Sequence, residues 1–209
     1  MKRTVPVIFA VALVLLVLTV SIGLPIYLRP FYYAHIDPLG LAEFSGFSKD
    51  QIRTAYDEVL DYLTLPGKTF GTGELAHSQA GAAHFADCKV LFDLNAGVLL
   101  GSAVVVAAII LLRKRCRLPS LRPAVFWAGI SSLTLPIVVG SLAAVDFDRA
   151  FVIFHRIFFP GKENWSFDYR TDPIILVLPQ EFFMDCAILI GAGLLLLSGC
   201  LLWLGKRRK

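Results

Sequence analysis

Two histidine-containing segments carry residue types that support proton transfer. The first is His84-Phe85-Ala86-Asp87, and the second is Phe154-His155-Arg156. Residues three apart on a helix share a face, so Asp87 can accept the His84 N–H and fix the tautomer of the ring. A carboxylate-oriented imidazole is a workable general base. Spacing alone favours plainer interpretations: a surface His–Asp pair in the first segment and a core histidine in the second.

The elements that must position these histidines are membrane-spanning helices. The chain has 209 residues, of which 56% are hydrophobic and 17% are charged, whereas soluble domains are about 25% charged. Four stretches lack Asp, Glu, Lys and Arg, and each approaches the ~20 residues that a helix needs to cross a bilayer. They are Thr4–Leu28, Leu94–Leu112, Pro123–Val145 and Cys186–Gly205. This composition excludes disordered, collagen-like and disulfide-framework proteins.

The charged residues are divided between the connections of these spans. The N-terminus, the loop 113–122 and the C-terminal tail hold eleven bases and no acid, whereas 29–93 and 146–185 hold all sixteen acids and nine bases. Positively charged loops stay in the cytoplasm, so both termini are expected inside and the two longer connections outside.

The sequence therefore predicts an α-helical polytopic membrane protein with four transmembrane helices and a small extracytoplasmic cap. The predicted segments are a first transmembrane helix (1–28), an outer segment (29–93), a second helix (94–112), a cytoplasmic loop (113–122), a third helix (123–145), another outer segment (146–185) and a fourth helix with a basic cytoplasmic tail (186–209). We expect the first helix to be retained, because it is too long for the core of a signal peptide.

The two outer segments are expected to fold together as the cap. They contain 20 of the 25 aromatic residues and all four histidines, and loops without a core are rarely so aromatic. Ser48 and Gln51 match a capping box that begins an amphipathic helix. We expect short strands and turns in 29–47, and a strand or interfacial segment in 173–178.

The outer ends of the second and third spans are expected to carry the histidines. A helix beginning near Ala80 is predicted to run into the second span, and the aromatic run 147–159 to extend the third. His84 lies nine residues before Asp93, and His155 lies nine residues after Asp146. Helices that rise ~1.5 Å per residue would bring both imidazoles to similar heights above the membrane, where they can act as base and acid.

Two other arrangements of these residues stay open. His84, Asp87 and His155 can supply three ligands to a metal ion, although chance accounts for their spacing. Cys88 and Cys186 lie near the outer ends of spans and can form a disulfide, for which the sequence provides no direct support.

The order of both histidine motifs along four spans resembles the lipoprotein intramolecular transacylases (Lit), bacterial integral membrane proteins with an outer cap. The resemblance covers nearly the whole chain. It rests on His84-Phe85-x-Asp87-Cys88-Lys89, Phe154-His155-x-x-Phe158-Phe159, Trp165-x-Phe167-Asp168, Asp172-x-Ile174-Ile175, Leu178-Pro179, Phe182-Phe183 and Tyr56-x-x-Val59-Leu60-x-Tyr62-Leu63. Family members often have a glutamate three residues before the first motif histidine, where this chain has Gly81. Phe85 and Cys88 also replace the usual hydrophobic pair around Asp87.

This resemblance implies an acyltransferase of the bacterial cell membrane whose site lies on the extracytoplasmic face. The enzyme would move the sn-2 acyl chain of a diacylglyceryl lipoprotein to the α-amine of its own N-terminal cysteine, giving the lyso-form. His84 and His155 would be the catalytic pair, and no cofactor or metal is implied. The residues expected to orient His84 or to bind and confine the substrate are Asp87, Phe154, Arg156, Phe158, Phe159, Trp165 and Asp172.

The expected surroundings are membrane lipid and the lipoprotein substrate, for a monomer with no nucleic-acid partner. Two other function classes are open at this point. One is a metal-dependent membrane hydrolase that uses His84, Asp87 and His155 as ligands. The other is a non-catalytic four-span scaffold or adhesion protein.

Overall fold

The structure, a computed structural model, describes residues 4–206 and is all-helical over that range. The helices are α1 (Thr4–Tyr27), α2 (Arg29–Tyr33), α3 (Leu41–Ser45), α4 (Lys49–Thr64), α5 (Gln79–Leu112), α6 (Arg122–Val145), α7 (Phe147–Phe158), α8 (Ile174–Val177) and α9 (Gln180–Gly205). Five of the bases that assign the cytoplasmic side lie outside the described residues, namely Lys2, Arg3, Arg207, Arg208 and Lys209.

Three of the described helices are long and apolar enough to cross a membrane. They are α1, α5 and α9, with 24, 34 and 26 residues. The predicted third span is the helix α6, which has 24 residues and therefore the length of a span. That it crosses the membrane stays a prediction, as does the assignment of both termini to the cytoplasm.

The chain forms two compact units, and the first consists mainly of apolar helix. It contains α1 as far as Leu24, α5 from Asn95, α6, and α9 from Ile188. Small residues allow close packing here: a Cβ on Gly129 of α6 would lie 3.0 Å from the backbone oxygen of Ser198 on α9.

A polar contact also joins two helices of this unit. Asn95 of α5 is buried, and its Nδ2 donates to the backbone oxygen of Thr19 on α1 at 3.3 Å. A buried amide needs such a partner, because no water is present in an apolar helix interface to replace it.

The second unit, Pro25–Leu94 with Asp146–Ala187, has its own hydrophobic core. The capping box at the start of α4 is confirmed, since Gln51 N donates to Ser48 Oγ at 3.3 Å and Ser48 N donates to Gln51 Oε1 at 2.9 Å. One face of α4 is buried against Tyr32, whose ring stacks on Tyr56 at 3.8 Å. The buried residues of that face are Ile52, Ala55, Tyr56, Val59, Leu60 and Leu63.

The expectation of short strands in the cap is wrong, because residues 29–47 and 173–178 contain short helices within the described chain. Pro30 occupies the first turn of α2, where its missing N–H costs nothing. Left-handed glycines bound α3 at Gly40 and Gly46. The Tyr32 hydroxyl donates to the Val177 backbone oxygen at 2.6 Å, so a tertiary contact joins α2 to α8.

The two helices that carry the histidines begin differently. α5 runs unbroken from Gln79 to Leu112, as predicted. α7 is not an extension of the preceding helix: Asp146 has extended backbone angles, and its side chain accepts the Arg149 N–H at 2.9 Å. An aspartate that caps a new helix end in this way stops the previous helix and starts the next.

Candidate active site

His84 on α5 and His155 on α7 face each other within the second unit. Their ring centroids are 5.9 Å apart, with an interplanar angle of 29°. Both residues are buried, with exposed fractions of 6% and 7%. Residue counts from the span ends predicted that the two imidazoles lie at similar heights above the membrane. In the structure the two rings are indeed close together.

Aromatic side chains enclose this histidine pair. The buried Phe159 ring lies 5.1 Å from His84 and 5.7 Å from His155. Trp165 stacks on His155 at 4.7 Å. Phe167 lies 5.4 Å from His84; it was part of the Trp165-x-Phe167 motif but had no predicted role. Water is thereby displaced from most of the perimeter of both rings.

Phe154 and Phe158 occupy a different face of α7. Their rings pack on each other at 4.6 Å, and both are about half exposed. Ile153 and Ile157 are exposed on the same side. Of the predicted aromatic residues, Phe159, Trp165 and Phe154 contact the pair, and the Phe154 ring lies edge-on to His155 at 5.4 Å. Phe154 and Phe158 also form part of an exposed apolar face.

The hydrogen bond of His155 fixes its tautomer. Nδ1 lies 2.8 Å from the backbone oxygen of Phe151, which can only accept, so Nδ1 carries the proton in the neutral ring. Nε2 is then the basic nitrogen. Burial lowers the pKa of His155, and the bond to Phe151 offsets part of this effect. His155 is therefore a neutral base near pH 7.

His84 has a different arrangement of its two nitrogens. Nε2 lies 3.4 Å from Cys88 Sγ, and a thiol can donate weakly to a ring nitrogen. Among the described residues, nothing forms a hydrogen bond with the buried Nδ1. A thiol donor at Nε2 leaves Nδ1 as an N–H donor. Cys88 and Cys186 are both free thiols.

The predicted hydrogen bond from His84 to Asp87 is wrong. Both oxygens of Asp87 have other partners: Lys162 Nζ binds Oδ1, and Asn164 Nδ2 donates to Oδ2 at 3.1 Å. The local spacing of three residues failed because a lysine ammonium 75 residues away and an amide 77 residues away occupy the two carboxylate oxygens. The ammonium is the stronger donor of the two. Asp87 therefore connects α5 to the turn that follows α7.

That turn carries the aromatic residue that packs on His155. Trp165 Nε1 donates to the Lys162 backbone oxygen at 3.0 Å, and Gly161 has a φ of +73° that an L side chain rarely adopts. Lys162 and Asn164 were absent from the predicted site. Nothing in their local sequence indicated it, because their role depends on a contact between distant segments.

The three metal ligands considered from the sequence are not assembled. Over residues 4–206, no group of three or more His, Cys, Asp or Glu side chains is arranged to hold a metal ion. Asp87 is bound to Lys162 and Asn164 instead, which leaves the two histidines without the third ligand that the metal alternative needs.

Asp172 and Arg156 have separate environments. Asp172 is 3% exposed and accepts from Ser78 N and Thr171 Oγ1, each at 2.8 Å. Burial alone would raise the pKa of Asp172, but these hydrogen bonds hold it below its usual range. Arg156 is exposed on α7. That either residue binds substrate stays a prediction.

The Asp172 carboxylate also explains Gly81. A Cβ on Gly81 would overlap Asp172 Oδ1 and would lie 3.1 Å from Phe167 Cε1. Because Ser78 and Thr171 hold Asp172, the carboxylate cannot easily move to admit a side chain.

We expect Gly81→Ala to lower the free energy of unfolding by about 1–3 kcal/mol, the usual cost of overpacking. In an open helix position, the same change gains about 1 kcal/mol. Gly97→Ala on the same helix is the control, since no described atom lies within 4 Å of its added Cβ. Thermal unfolding of both variants in detergent tests this, and equal effects would contradict the packing argument.

The pKa of His155 predicts how stability depends on pH. Burial lowers this pKa in the folded state, whereas the unfolded chain keeps the ordinary histidine pKa of about 6.5. Just below that pH, the unfolded chain therefore binds a proton more tightly than the folded chain does. Folding therefore loses stability as pH falls through that value. We expect the unfolding temperature of wild type to drop more than that of His155→Gln between pH 8 and pH 5. Parallel curves would show that His155 is not desolvated.

The sequence comparisons identify the family of this chain. Residues 7–183 match the family model for "Lipoprotein intramolecular transacylase Lit". The chain belongs to the Lit family. A protein of Aquifex aeolicus (strain VF5) is 26% identical over 120 residues, which are 57% of this chain and 51% of that protein. The chain thus spans about half the length of this curated relative.

Solved structures of Lit from Bacillus cereus have the same fold. One, described as a membrane integral lipoprotein intramolecular transacylase, has a TM-score of 0.87 at 25% identity, and covers 96% of this chain and 92% of its own. Two variant structures, with a histidine changed to arginine or to alanine, each have a TM-score of 0.83 and the same identity. They cover 98% of this chain, and 90% and 92% of their own. With its apolar helices, this Lit-family chain is a membrane protein.

Proposed function

We propose that this protein is a lipoprotein intramolecular transacylase that moves the sn-2 acyl chain of a diacylglyceryl lipoprotein to the α-amine of the N-terminal cysteine. The observation that carries the proposal is the enclosed pair formed by His84 and His155, with ring centroids 5.9 Å apart. The Lit family membership supports the same reaction. The product is the lyso-form lipoprotein with both acyl groups retained.

His155 is the base in this proposal. The free α-amine has an ordinary pKa of about 7.7–8.0, so a neutral amine must be available and must lose a proton as it attacks the ester carbonyl. His155 Nε2 accepts that proton, because Nδ1 is committed to Phe151. The new N–C bond forms, the ester C–O bond breaks, and the imidazolium returns the proton to the glyceryl oxygen.

His84 stabilises the negative charge on the carbonyl oxygen. With Cys88 at Nε2, the Nδ1–H of a neutral His84 is available to the tetrahedral intermediate. A neutral imidazole is suited to donating a hydrogen bond to this oxygen without giving up its proton. A buried donor that is already held in place before the oxyanion forms is preorganised, and one such donor contributes about 10²–10³-fold in rate.

The aromatic enclosure restricts the conformations of the substrate. Attack closes a ring through the amine nitrogen, Cα, Cβ, sulfur, two glyceryl carbons, the ester oxygen and the acyl carbon. Its two ends must be held together, which costs conformational entropy unless a confined site does so in advance. Phe159, Trp165 and Phe167 surround the two histidines and are placed to provide this confinement.

The charge pattern supports a topology for the reaction. We infer four spans, with α6 as the third, both termini in the cytoplasm, and residues 29–93 and 146–185 outside. The histidines belong to these outer segments, on the face of the cell membrane where lipoproteins mature. A monomer surrounded by membrane lipid, without a cofactor, is sufficient for the reaction.

Mass spectrometry of an N-terminal lipopeptide tests the proposal. Cells with and without this protein would be compared for the position of each acyl group. Activity predicts one acyl group on the cysteine amine and one fewer on glycerol, at unchanged total mass. Acyl groups that stay on glycerol in both strains would show that the proposed function is wrong. Activity that survives chelation would oppose the metal-dependent hydrolase.

A further inference from the structure

Asn164 is a polar residue of the histidine site that the proposed mechanism does not use. It lies in the turn after α7, next to Trp165, whose ring stacks on His155 at 4.7 Å. Its Nδ2 donates to Asp87 Oδ2 at 3.1 Å, and Asp87 follows His84 by three residues on α5. Asn164 is therefore connected to the surroundings of both histidines.

The Asp87 carboxylate fixes the orientation of the Asn164 amide. A carboxylate only accepts hydrogen bonds, so the nitrogen of the amide must face it and the oxygen must face elsewhere. Lys162 binds the other carboxylate oxygen and helps to hold Asp87 in its ionised form. A flipped amide would place two acceptors against each other, which strongly disfavours that orientation.

The oxygen of this amide, Asn164 Oδ1, is buried. Asn164 Oδ1 has no hydrogen-bond partner within the range of residues that the structure describes. A buried acceptor without a donor loses the hydrogen bonds it would make to water, so native proteins rarely leave one unpaired. A substrate group that carries an N–H would remove this penalty.

Two open polar atoms then match the two reacting groups of the substrate. His84 Nδ1, also without a partner in the described chain, suits an oxygen acceptor. Asn164 Oδ1 suits a donor. Among the groups that take part in the transfer, the ester, thioether and glyceryl backbone have no N–H, whereas the α-amine that attacks the ester has N–H donors.

We propose that Asn164 Oδ1 binds the α-amine of the N-terminal cysteine and holds it for attack. The inference rests on the proposed function and adds a residue that recognises the nucleophile. Asn164 contributes to binding and positioning, while His155 remains the base. Asp87 and Lys162 then have a positioning role, because they fix the orientation of the Asn164 amide.

Binding of two matched analogues tests the proposal. Both are diether-linked glyceryl lipopeptides, in which the absence of an ester prevents transfer, and one lacks the α-amine. Wild type is expected to bind the amine analogue about tenfold more tightly than the des-amino analogue, as one charge-assisted hydrogen bond allows. In Asn164→Leu this ratio should fall close to one. Glu163→Ala, in the same turn and exposed, should keep it.

Several results would overturn the inference. One is a wild-type ratio near one, and another is an Asn164→Leu variant that binds both analogues more weakly by the same factor. A measurement on wild type alone guards against a variant that fails to fold. A trimethylammonium analogue keeps the charge but has no N–H, and should bind no better than the des-amino form. If it binds as tightly as the amine, charge rather than Asn164 recognises the group.

Failure of this inference is distinguishable from failure of the proposed function. The function is tested by wild-type transfer on the diester lipopeptide, followed by mass spectrometry. Transfer in that assay, with an unchanged analogue ratio in Asn164→Leu, would retain the transacylase and reject the role of Asn164. Absence of transfer would reject the function itself.

Discussion

Replacing His155 with alanine is expected to slow acyl transfer by about 10²–10⁴-fold, the usual contribution of a general base. Replacing His84 with alanine should cost about 10²–10³-fold, because one donor to the oxyanion is lost. The two rings lie 5.9 Å apart around one reacting centre. Their effects should therefore be less than multiplicative in the double variant. Transfer on a diester lipopeptide in detergent measures all three.

Asparagine substitutions separate the two roles. His84→Asn keeps an N–H near the place of the His84 Nδ1, so it should recover part of the activity that His84→Ala loses. In His155→Asn the new side chain cannot act as a base, so this variant should recover none of the activity that His155→Ala loses. The control is His77→Gln: this histidine lies 3.2 Å from the Thr72 hydroxyl and outside the pair. Full transfer activity in folded His84→Ala and His155→Ala variants would contradict both catalytic roles, whereas a non-catalytic scaffold would show no transfer even in wild type.

Asp87→Ala is expected to reduce transfer by about 10²-fold without removing a group that touches the reacting atoms. The change releases Lys162 and Asn164 together. The turn that places Trp165 on His155 then loses its connection to α5. Misplacement of positioning groups by about 1 Å can cost this much in rate. Steady-state kinetics in detergent measure the loss.

Two further measurements separate positioning from general destabilisation. Trp165 should become more accessible to acrylamide, a fluorescence quencher, in Asp87→Ala. Wild type and each variant compared here also carry Trp127→Phe and Trp203→Phe, so that Trp165 is the source of the tryptophan fluorescence. Asp93→Asn is the matched control on the same helix, since Asp93 is exposed and lies 3.8 Å from Lys89. Equal rate losses in Asp87→Ala and Asp93→Asn would contradict the positioning role.

The helices α4 and α5 were predictable because their signals are local, whereas the separate start of α7 at Asp146 was not predicted. The helical pattern from about Ala80 predicted α5, and Ser48 with Gln51 predicted the start of α4. Residue counts from the span ends also predicted that His84 and His155 lie at similar heights. The two rings do lie close together, although α7 begins as a new helix rather than continuing the third span.

The strands of the cap were mispredicted because short apolar runs do not distinguish a strand from a helix. The run 173–178 forms the short helix α8, whose Val177 backbone oxygen accepts from Tyr32, 145 residues away. The partners of Asp87 were missed for a similar reason. Lys162 and Asn164 follow Asp87 by more than 70 residues, and no local pattern records which distant donor reaches a carboxylate.

The exposed apolar face of α7 has a consequence for how the reaction rate depends on the amount of lipid and on the aqueous volume. Ile153, Phe154, Ile157 and Phe158 are exposed on this helix, while His155 is buried on its other side. A lipid-anchored substrate diffuses laterally without leaving the bilayer, and an exposed apolar face is suited to contact with its acyl chains. The reaction rate then depends on the number of lipoprotein molecules per unit of membrane area. Diluting the lipoprotein with inert lipid, at constant bulk concentration, should slow the enzyme, whereas doubling the aqueous volume should not.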